Sequence, residues 1–372
     1  MFKVTIIGAG NVGATAAQYI AMRNIADVVL VDINEGAALG KSLDMLQTGP
    51  ITLHYSHLEG SNSYDTTANS DVVVITAGVP RKEGMSRDDL LKINANIVKA
   101  AAEQAIKYSP NAVFIIVTNP LDVMTQLAYQ VTGLPRERVL GMAGVLDSAR
   151  FQTFIAMELE VSPVDVKAMV LGGHGDLMVP LLRHSSVNGI PVLDLIDAER
   201  MKELAVRTRD GGAEIVKHLK SGSAYYGPGA SVALMVEAIL RDENRLVPCS
   251  VLTAGEYGLD GVYVGLPVVL GKGGMKRIVT LGLSGEEQAA LARSAASIAA
   301  NVKTMNELIG WGKSLQAEAV AVVADKPAGN ADSAPVKADA GGAEVATVPA
   351  SVTAATGLET QPADAKGAAK TQ

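Results

Sequence analysis

The 372-residue chain has a single cysteine, Cys249. One thiol cannot form an intrachain disulfide, so nothing in the chain asks for an oxidising compartment. Cys249 also stands outside any Cys/His spacing suited to a metal, so no metal site is expected. No apolar run reaches the roughly 18–20 residues that a membrane helix requires. Basic excess is missing too, for the formal net charge is −7. A general nucleic-acid binder would need a net basic face to neutralise phosphates, so that class is disfavoured. An anionic small molecule could still use a local basic cluster. Residues 313–372 contain no aromatic side chain and are mainly Ala, Val, Thr, Pro, Asp and Lys. Such a segment buries too little to offset its chain entropy and reads as a disordered tail. A short docked element at "EAVAVVA", 318–324, is the alternative there.

What is present fits a globular protein with a substantial core: 48 % hydrophobic and 19 % charged residues. "MFKVTIIGAG" enters a strand almost at once, which leaves no room for a signal peptide, so a cytoplasmic location is expected. "KVTIIGAG", "DVVLVDI", "DVVVITAG" and "AVFIIVTN" are continuous apolar runs separated by helix-like segments. That alternation predicts an α/β fold, a Rossmann-type parallel sheet with helices on both faces. From about residue 144 the pattern becomes mixed. Helices are predicted over 197–220, 228–243 and "SGEEQAALARSAASIAANVKTMNELIG". Strands are predicted at "VKAMVLGG", "CSVLTAG", "VYVGLPVVLG" and "IVTLGL". The expected division is a dinucleotide-binding domain at 1–143, an α+β substrate domain at 144–312 and the tail at 313–372.

"GAGNVG", Gly8 to Gly13, follows a strand and opens a helix, which is the context that G-x-G-x-x-G requires. Gly8 permits the tight turn, Gly10 lets the backbone approach a pyrophosphate, and Gly13 lets helix and strand pack closely. The helix N-terminus adds free N–H groups for the phosphates. Asp32 ends the next strand, 19 residues after Gly13. A carboxylate there accepts hydrogen bonds from ribose hydroxyls and repels a 2′-phosphate, so the expected cofactor is NAD.

Four further segments carry polar residues at element ends. "GVPRKEGMSR" brings Arg81 and Arg87 on one glycine-bearing loop. "VTNP" leaves Asn119 at the carboxyl edge of the sheet, where open α/β sheets bind ligands. "LDSAR" puts Asp147 and Arg150 three apart, on one helix face. "GGHGD" sets His174 between glycines. Taken singly, each reads as an ordinary solvated side chain. In this order and at these separations they resemble the lactate/malate dehydrogenase family over about residues 1–312. "AGVPRKEGMSR" is similar to its lactate-dehydrogenase-like malate dehydrogenase branch.

The resemblance implies a catalytic His174 oriented by Asp147, with Arg87 polarising the reacting carbonyl. It implies that Arg150 holds the substrate's 1-carboxylate and that Asn119 orients substrate beside the nicotinamide. Arg81 occupies the specificity position, where a second cation suits a second carboxylate, as in malate or oxaloacetate. Cofactor contacts are implied at Gly8, Gly10, Asn11, Val12, Gly13, Asp32, Asn94, Val117 and Asn119. Ser223 and Ala224 lie where the family carries a pocket residue, a small one here that leaves room for a dicarboxylate. Related proteins are dimers or tetramers, so a homo-oligomer is expected. Lactate dehydrogenase, a metal-using NAD-dependent glycosidase and a non-catalytic NAD-binding protein are the competing readings. Among these, lactate dehydrogenase differs chiefly at Arg81.

Overall fold

The computed structural model describes residues 1–80 and 84–311. Arg81 and the expected tail, 313–372, lie outside the described residues.

The first half builds six parallel strands: β1 (Lys3–Ile7), β2 (Asp27–Val31), β3 (Leu58–Ser61), β4 (Val72–Ile75), β5 (Val113–Ile116) and β6 (Val139–Gly141). Their order is β3-β2-β1-β4-β5-β6. Val4, Ile6, Val72, Val74, Ile75, Phe114 and Ile115 are fully buried, as expected of strands covered on both faces. Between them run helices α1 (Asn11–Met22), α2 (Glu35–Gln47), α3 (Gly49–Thr52), α4 (Arg87–Tyr108) and α5 (Leu121–Thr132). The strand order reverses between β1 and β4: β2 and β3 lie on one side of β1, and β4, β5 and β6 on the other. The loops leaving β1, β4 and β5 therefore open around one crevice at the carboxyl edge, the place where such sheets bind ligands.

The second half carries α6 (Gly144–Leu159), α7 (Ala198–Leu219), α8 (Tyr226–Leu240) and α9 (Gly285–Ile309). Its strands are the short β7 (Val166–Lys167), β8 (Val170–Leu171), β9 (Val179–Pro180), β10 (Ser186–Val187) and β11 (Ile190–Pro191). The longer β12 (Arg245–Ala254), β13 (Asp260–Gly271) and β14 (Gly274–Ile278) follow. This half does not form a wholly separate sheet. Its β12–β14 meander extends the parallel sheet into one of nine strands, joined through a single antiparallel bridge between Ser250 and Gly141. Gly141 makes that junction feasible: a Cβ there would stand 2.7 Å from both Ser250 Cβ and Thr125 Oγ1. A smaller apolar core forms around Phe151, Ile155, Val170, Met201 and Leu204.

Two expected strands differ. "VKAMVLGG" is split into β7 and β8, because the Ala168 carbonyl accepts from Gln152 Nε2 at 3.1 Å and the Met169 carbonyl from Leu181 N at 2.9 Å. "IVTLGL" leaves the ladder after Val279 N, whose bond to the Pro267 carbonyl is the last. Leu281 N then turns to the Tyr257 hydroxyl at 2.9 Å.

Candidate active site

The glycine loop has the shape its spacing implies. Gly8 has φ +111°, and a Cβ there would meet Ala77 N and Thr76 Oγ1 at 2.7 Å. At Gly13 a Cβ would fall 2.0 Å from the Gly8 carbonyl oxygen, so only glycine lets α1 start this close to β1. Gly10 faces open space. It is the N-cap of α1, which has no side-chain cap and no acidic residue in its first turn. The N–H groups of Asn11 and Val12 are thus left for an anion. Asp32 is half-buried at the end of β2. Its carboxylate accepts from Ala9 N at 2.7 Å and Asn34 N at 2.9 Å, which ties it to the loop. These residues fit a dinucleotide: an open cradle for phosphates, with a fixed carboxylate at the ribose end.

Both ends of the 78–87 loop are anchored on α4. Asn94 is buried, accepts from Val79 N at 2.9 Å, and donates to the carbonyls of Val79 at 3.2 Å and Asn119 at 2.8 Å. Its side chain is thereby committed to the backbone, holding the two loops together. At the other end Ser86 caps α4 in a reciprocal box with Asp89. Arg87 is the next residue and is exposed.

His174 sits in the loop between β8 and β9, and the backbone around it is held at four points. Gly172 exchanges both backbone hydrogen bonds with Gly265 of β13, at 2.9 and 3.1 Å. Gly173 N donates to Ser294 Oγ at 2.8 Å, and His174 N to Asp122 Oδ2 at 2.9 Å. The imidazole Nδ1 lies 2.9 Å from Asp147 Oδ2. Asp147 is buried on the first turn of α6, and Arg150, one turn on, reaches its other oxygen at 3.3 Å. Burial opposes the imidazolium. The charge and hydrogen bond of Asp147 outweigh it and hold the His174 pKa above its ordinary value. Burial likewise pulls the Arg150 pKa down, and Asp147 offsets part of that.

One cavity of about 300 Å³ is lined by Val12, Val117, Asn119, Arg150, His174, Ser223 and Ala224. It joins the glycine loop to the His–Asp–Arg cluster. Arg87 is not in it. Arg87 lines an adjoining cavity of about 320 Å³, on whose wall His174 also stands. Several supporting groups are not evident from motif reading. Gly211 and Gly212 lie within the unbroken α7 where Arg150 packs: a Cβ at Gly211 would be 3.2 Å from Arg150 Cδ. Asp122 is buried behind His174. The only outward signs of these are a glycine pair inside a helix and an acid directly after "NPL".

Residues 2–141 match the family model for the NAD-binding domain of lactate/malate dehydrogenases, and residues 144–309 match that for their alpha/beta C-terminal domain. The chain belongs to the lactate/malate dehydrogenase family. The malate dehydrogenase of Trichormus variabilis is 58 % identical over 301 residues, 81 % of this chain and 93 % of that protein. A solved malate dehydrogenase from Salinibacter ruber superposes with a TM-score of 0.80 at 48 % identity, covering 84 % of this chain and all of that one. A lactate dehydrogenase from Cryptosporidium parvum, solved with lactic acid and nicotinamide adenine dinucleotide, gives 0.79 at 42 % identity, covering 82 % and 98 %. Like its family, the chain is an NAD-dependent oxidoreductase. Among the described residues no helix is long and apolar enough to cross a membrane, and no group of three or more His, Cys, Asp or Glu could hold a metal. Cys249 is buried in β12, and burial pushes its thiol pKa far up.

Proposed function

We propose that this dehydrogenase interconverts malate and oxaloacetate: (S)-malate and NAD⁺ give oxaloacetate, NADH and a proton. NAD, when bound, supplies the hydride acceptor or donor. Residues 1–143 hold it and also bring Arg81, Arg87 and Asn119 to the substrate, while 144–312 bring Asp147, Arg150 and His174. With Nδ1 of His174 committed to Asp147, Nε2 is the nitrogen that exchanges a proton with the substrate oxygen. It acts as base in oxidation and acid in reduction. Asp147 fixes the tautomer and stabilises the charged ring. Arg150 grips the 1-carboxylate, and a guanidinium fork does so bidentately. Asn119 orients the substrate. Arg87 stabilises negative charge on the reacting oxygen when the two cavities beside His174 are bridged by substrate.

The observation that carries this reading is the cluster of His174, Asp147 and Arg150 at a cavity continuous with the glycine loop. The choice of malate rests on Arg81 and on the malate dehydrogenase relatives. Steady-state assay with oxaloacetate and pyruvate tests it, and a preference for pyruvate would make this a lactate dehydrogenase instead. The pH profile tests the mechanism. Reduction needs the imidazolium, so its rate should stay high below the His174 pKa and fall as pH rises through it. Because that pKa is raised, the fall should come above pH 6.5, the ordinary histidine value. Oxidation should show the opposite limb. A reduction rate that climbs with pH across that range would contradict the assignment.

The same reading makes the protein a cytoplasmic homo-oligomer, a dimer or a tetramer. On α2 the exposed Leu39 and Leu43, four residues apart, share one face, and Ile51, Leu53 and Tyr55 just after the helix are exposed as well. Leu43 is 58 % and Leu53 80 % exposed in the isolated chain. A double Leu39→Glu, Leu43→Glu variant is expected to lower the mass seen by light scattering to that of the monomer. An unchanged mass would put the interface elsewhere.

A further inference from the structure

The glycine loop is tied down by a side chain that its own motif does not contain. Lys41 lies midway along α2 and is half-buried. Three positions earlier, on the same side of the helix, Ala38 is fully buried. Gly60 of β3 lets α2 come down there, since a Cβ at Gly60 would fall 2.4 Å from the Ala38 carbonyl carbon. With the helix seated this close, the lysine stem reaches the glycine loop, and Nζ donates to the Ala9 carbonyl at 2.6 Å. That carbonyl lies ahead of the α1 ladder, where Ala14 N bonds to the Gly10 carbonyl at 3.0 Å, and it takes the ammonium instead. Ala9 N, on the other side of the same residue, donates to Asp32 Oδ2 at 2.7 Å. Ala9 is thus held between a carboxylate from the end of β2 and an ammonium from α2.

We propose that Lys41 belongs to the cofactor site: it fixes the glycine loop through Ala9 and gives the dinucleotide's pyrophosphate a side-chain positive charge that the loop lacks. The inference rests on the NAD-binding domain and not on which 2-hydroxy acid is turned over. The first turn of α1, Asn11 to Ala14, carries no charged side chain. Its N-terminus offers only about half a unit of positive charge. Asp32 and Glu35, in the first turn of α2, add negative charge at the ribose end. Among the described residues, Lys41 is the one cation hydrogen-bonded to Gly8–Gly13. An ammonium has three N–H donors, so two remain after the bond to Ala9.

Adenosine diphosphate ribose is the probe, because it carries the pyrophosphate without the nicotinamide. Its binding is read by calorimetry and needs no turnover. Lys41→Gln can still donate to the Ala9 carbonyl but drops the charge. Its affinity for the probe and for NADH should fall roughly tenfold at low salt. The gap should narrow as salt screens the charge of the unsubstituted protein. The KM for oxaloacetate at saturating NADH should hold. Lys41→Arg should restore both the affinity and its salt dependence, whereas Lys41→Met, which also gives up the Ala9 bond, should bind the probe more weakly still. Unchanged affinity and salt dependence in Lys41→Gln would overturn the proposal and leave Lys41 a brace alone. If the variants fail to fold, acetylation of the unsubstituted protein decides, with each lysine followed by mass spectrometry. The probe should slow acetylation of Lys41 and leave that of the exposed Lys202 on α7 unchanged. A Lys41 rate unaffected by the probe would overturn the proposal. Undiminished turnover in His174→Asn would sink the proposed reaction and leave these binding results untouched.

Discussion

His174→Asn is expected to lower oxaloacetate reduction by roughly two to four orders of magnitude while NADH still binds. Asparagine is small enough to leave the loop in place, and its amide can still donate toward Asp147. The buried carboxylate is then not stranded, so the loss reports chemistry more than folding. What disappears is, among the described residues lining the cavity, the one histidine, a group able both to give and to take a proton near neutral pH. The glycine loop and Asp32 sit on β1 and β2, away from the substitution, and cofactor affinity should be little changed. Turnover is read from NADH absorbance and binding from NADH fluorescence. Activity within tenfold of the unsubstituted enzyme, with binding intact, would point to a non-catalytic NAD-binding protein or to another proton carrier.

The parts of this site that rest on local chemistry were legible in the sequence. The Gly8–Gly13 turn is dictated by backbone conformation and close approach, both of which follow from absent Cβ atoms within six residues. Helical spacing alone put Asp147 and Arg150 on one face, and they meet at 3.3 Å. The pairing of His174 with Asp147 spans 27 residues. No periodicity predicts it, and only the family resemblance suggested it. Asp122 illustrates the remainder. Its partners are 52 and 128 residues away, joined by a sheet junction at Gly141 that no strand pattern foretells. Asn94 shows another side of this: the resemblance implies a cofactor contact, and the fold adds a brace from its amide to Val79 and Asn119 that no motif announces. The strand breaks at "VKAMVLGG" and "IVTLGL" share that origin, since side-chain groups from distant elements, Gln152 and Tyr257, take the backbone partners.

Arg81→Gln is expected to convert a dicarboxylate enzyme into one with little preference. Oxaloacetate carries a carboxylate at each end, and the proposed site has one cation for each, Arg150 for the first and Arg81 for the second. Removing one partner of a desolvated, hydrogen-bonded charge pair costs about 2–5 kcal/mol, which is roughly 30- to several-thousand-fold in kcat/KM. Glutamine keeps much of the length and the hydrogen-bonding capacity of arginine, so that loss is assigned to charge. Pyruvate has no second carboxylate and leaves Arg81 unpaired in a closed site, a penalty that glutamine removes. Its kcat/KM should hold or rise. The two substrates therefore part company, which a general defect in loop closure could not produce. Arg87 supplies the internal comparison. It serves the carbonyl that both substrates share, so Arg87→Gln should depress both alike. Equal losses on oxaloacetate and pyruvate in Arg81→Gln would show that Arg81 does not read the second carboxylate, and the choice of malate over lactate would lose its main support in the chain's own residues.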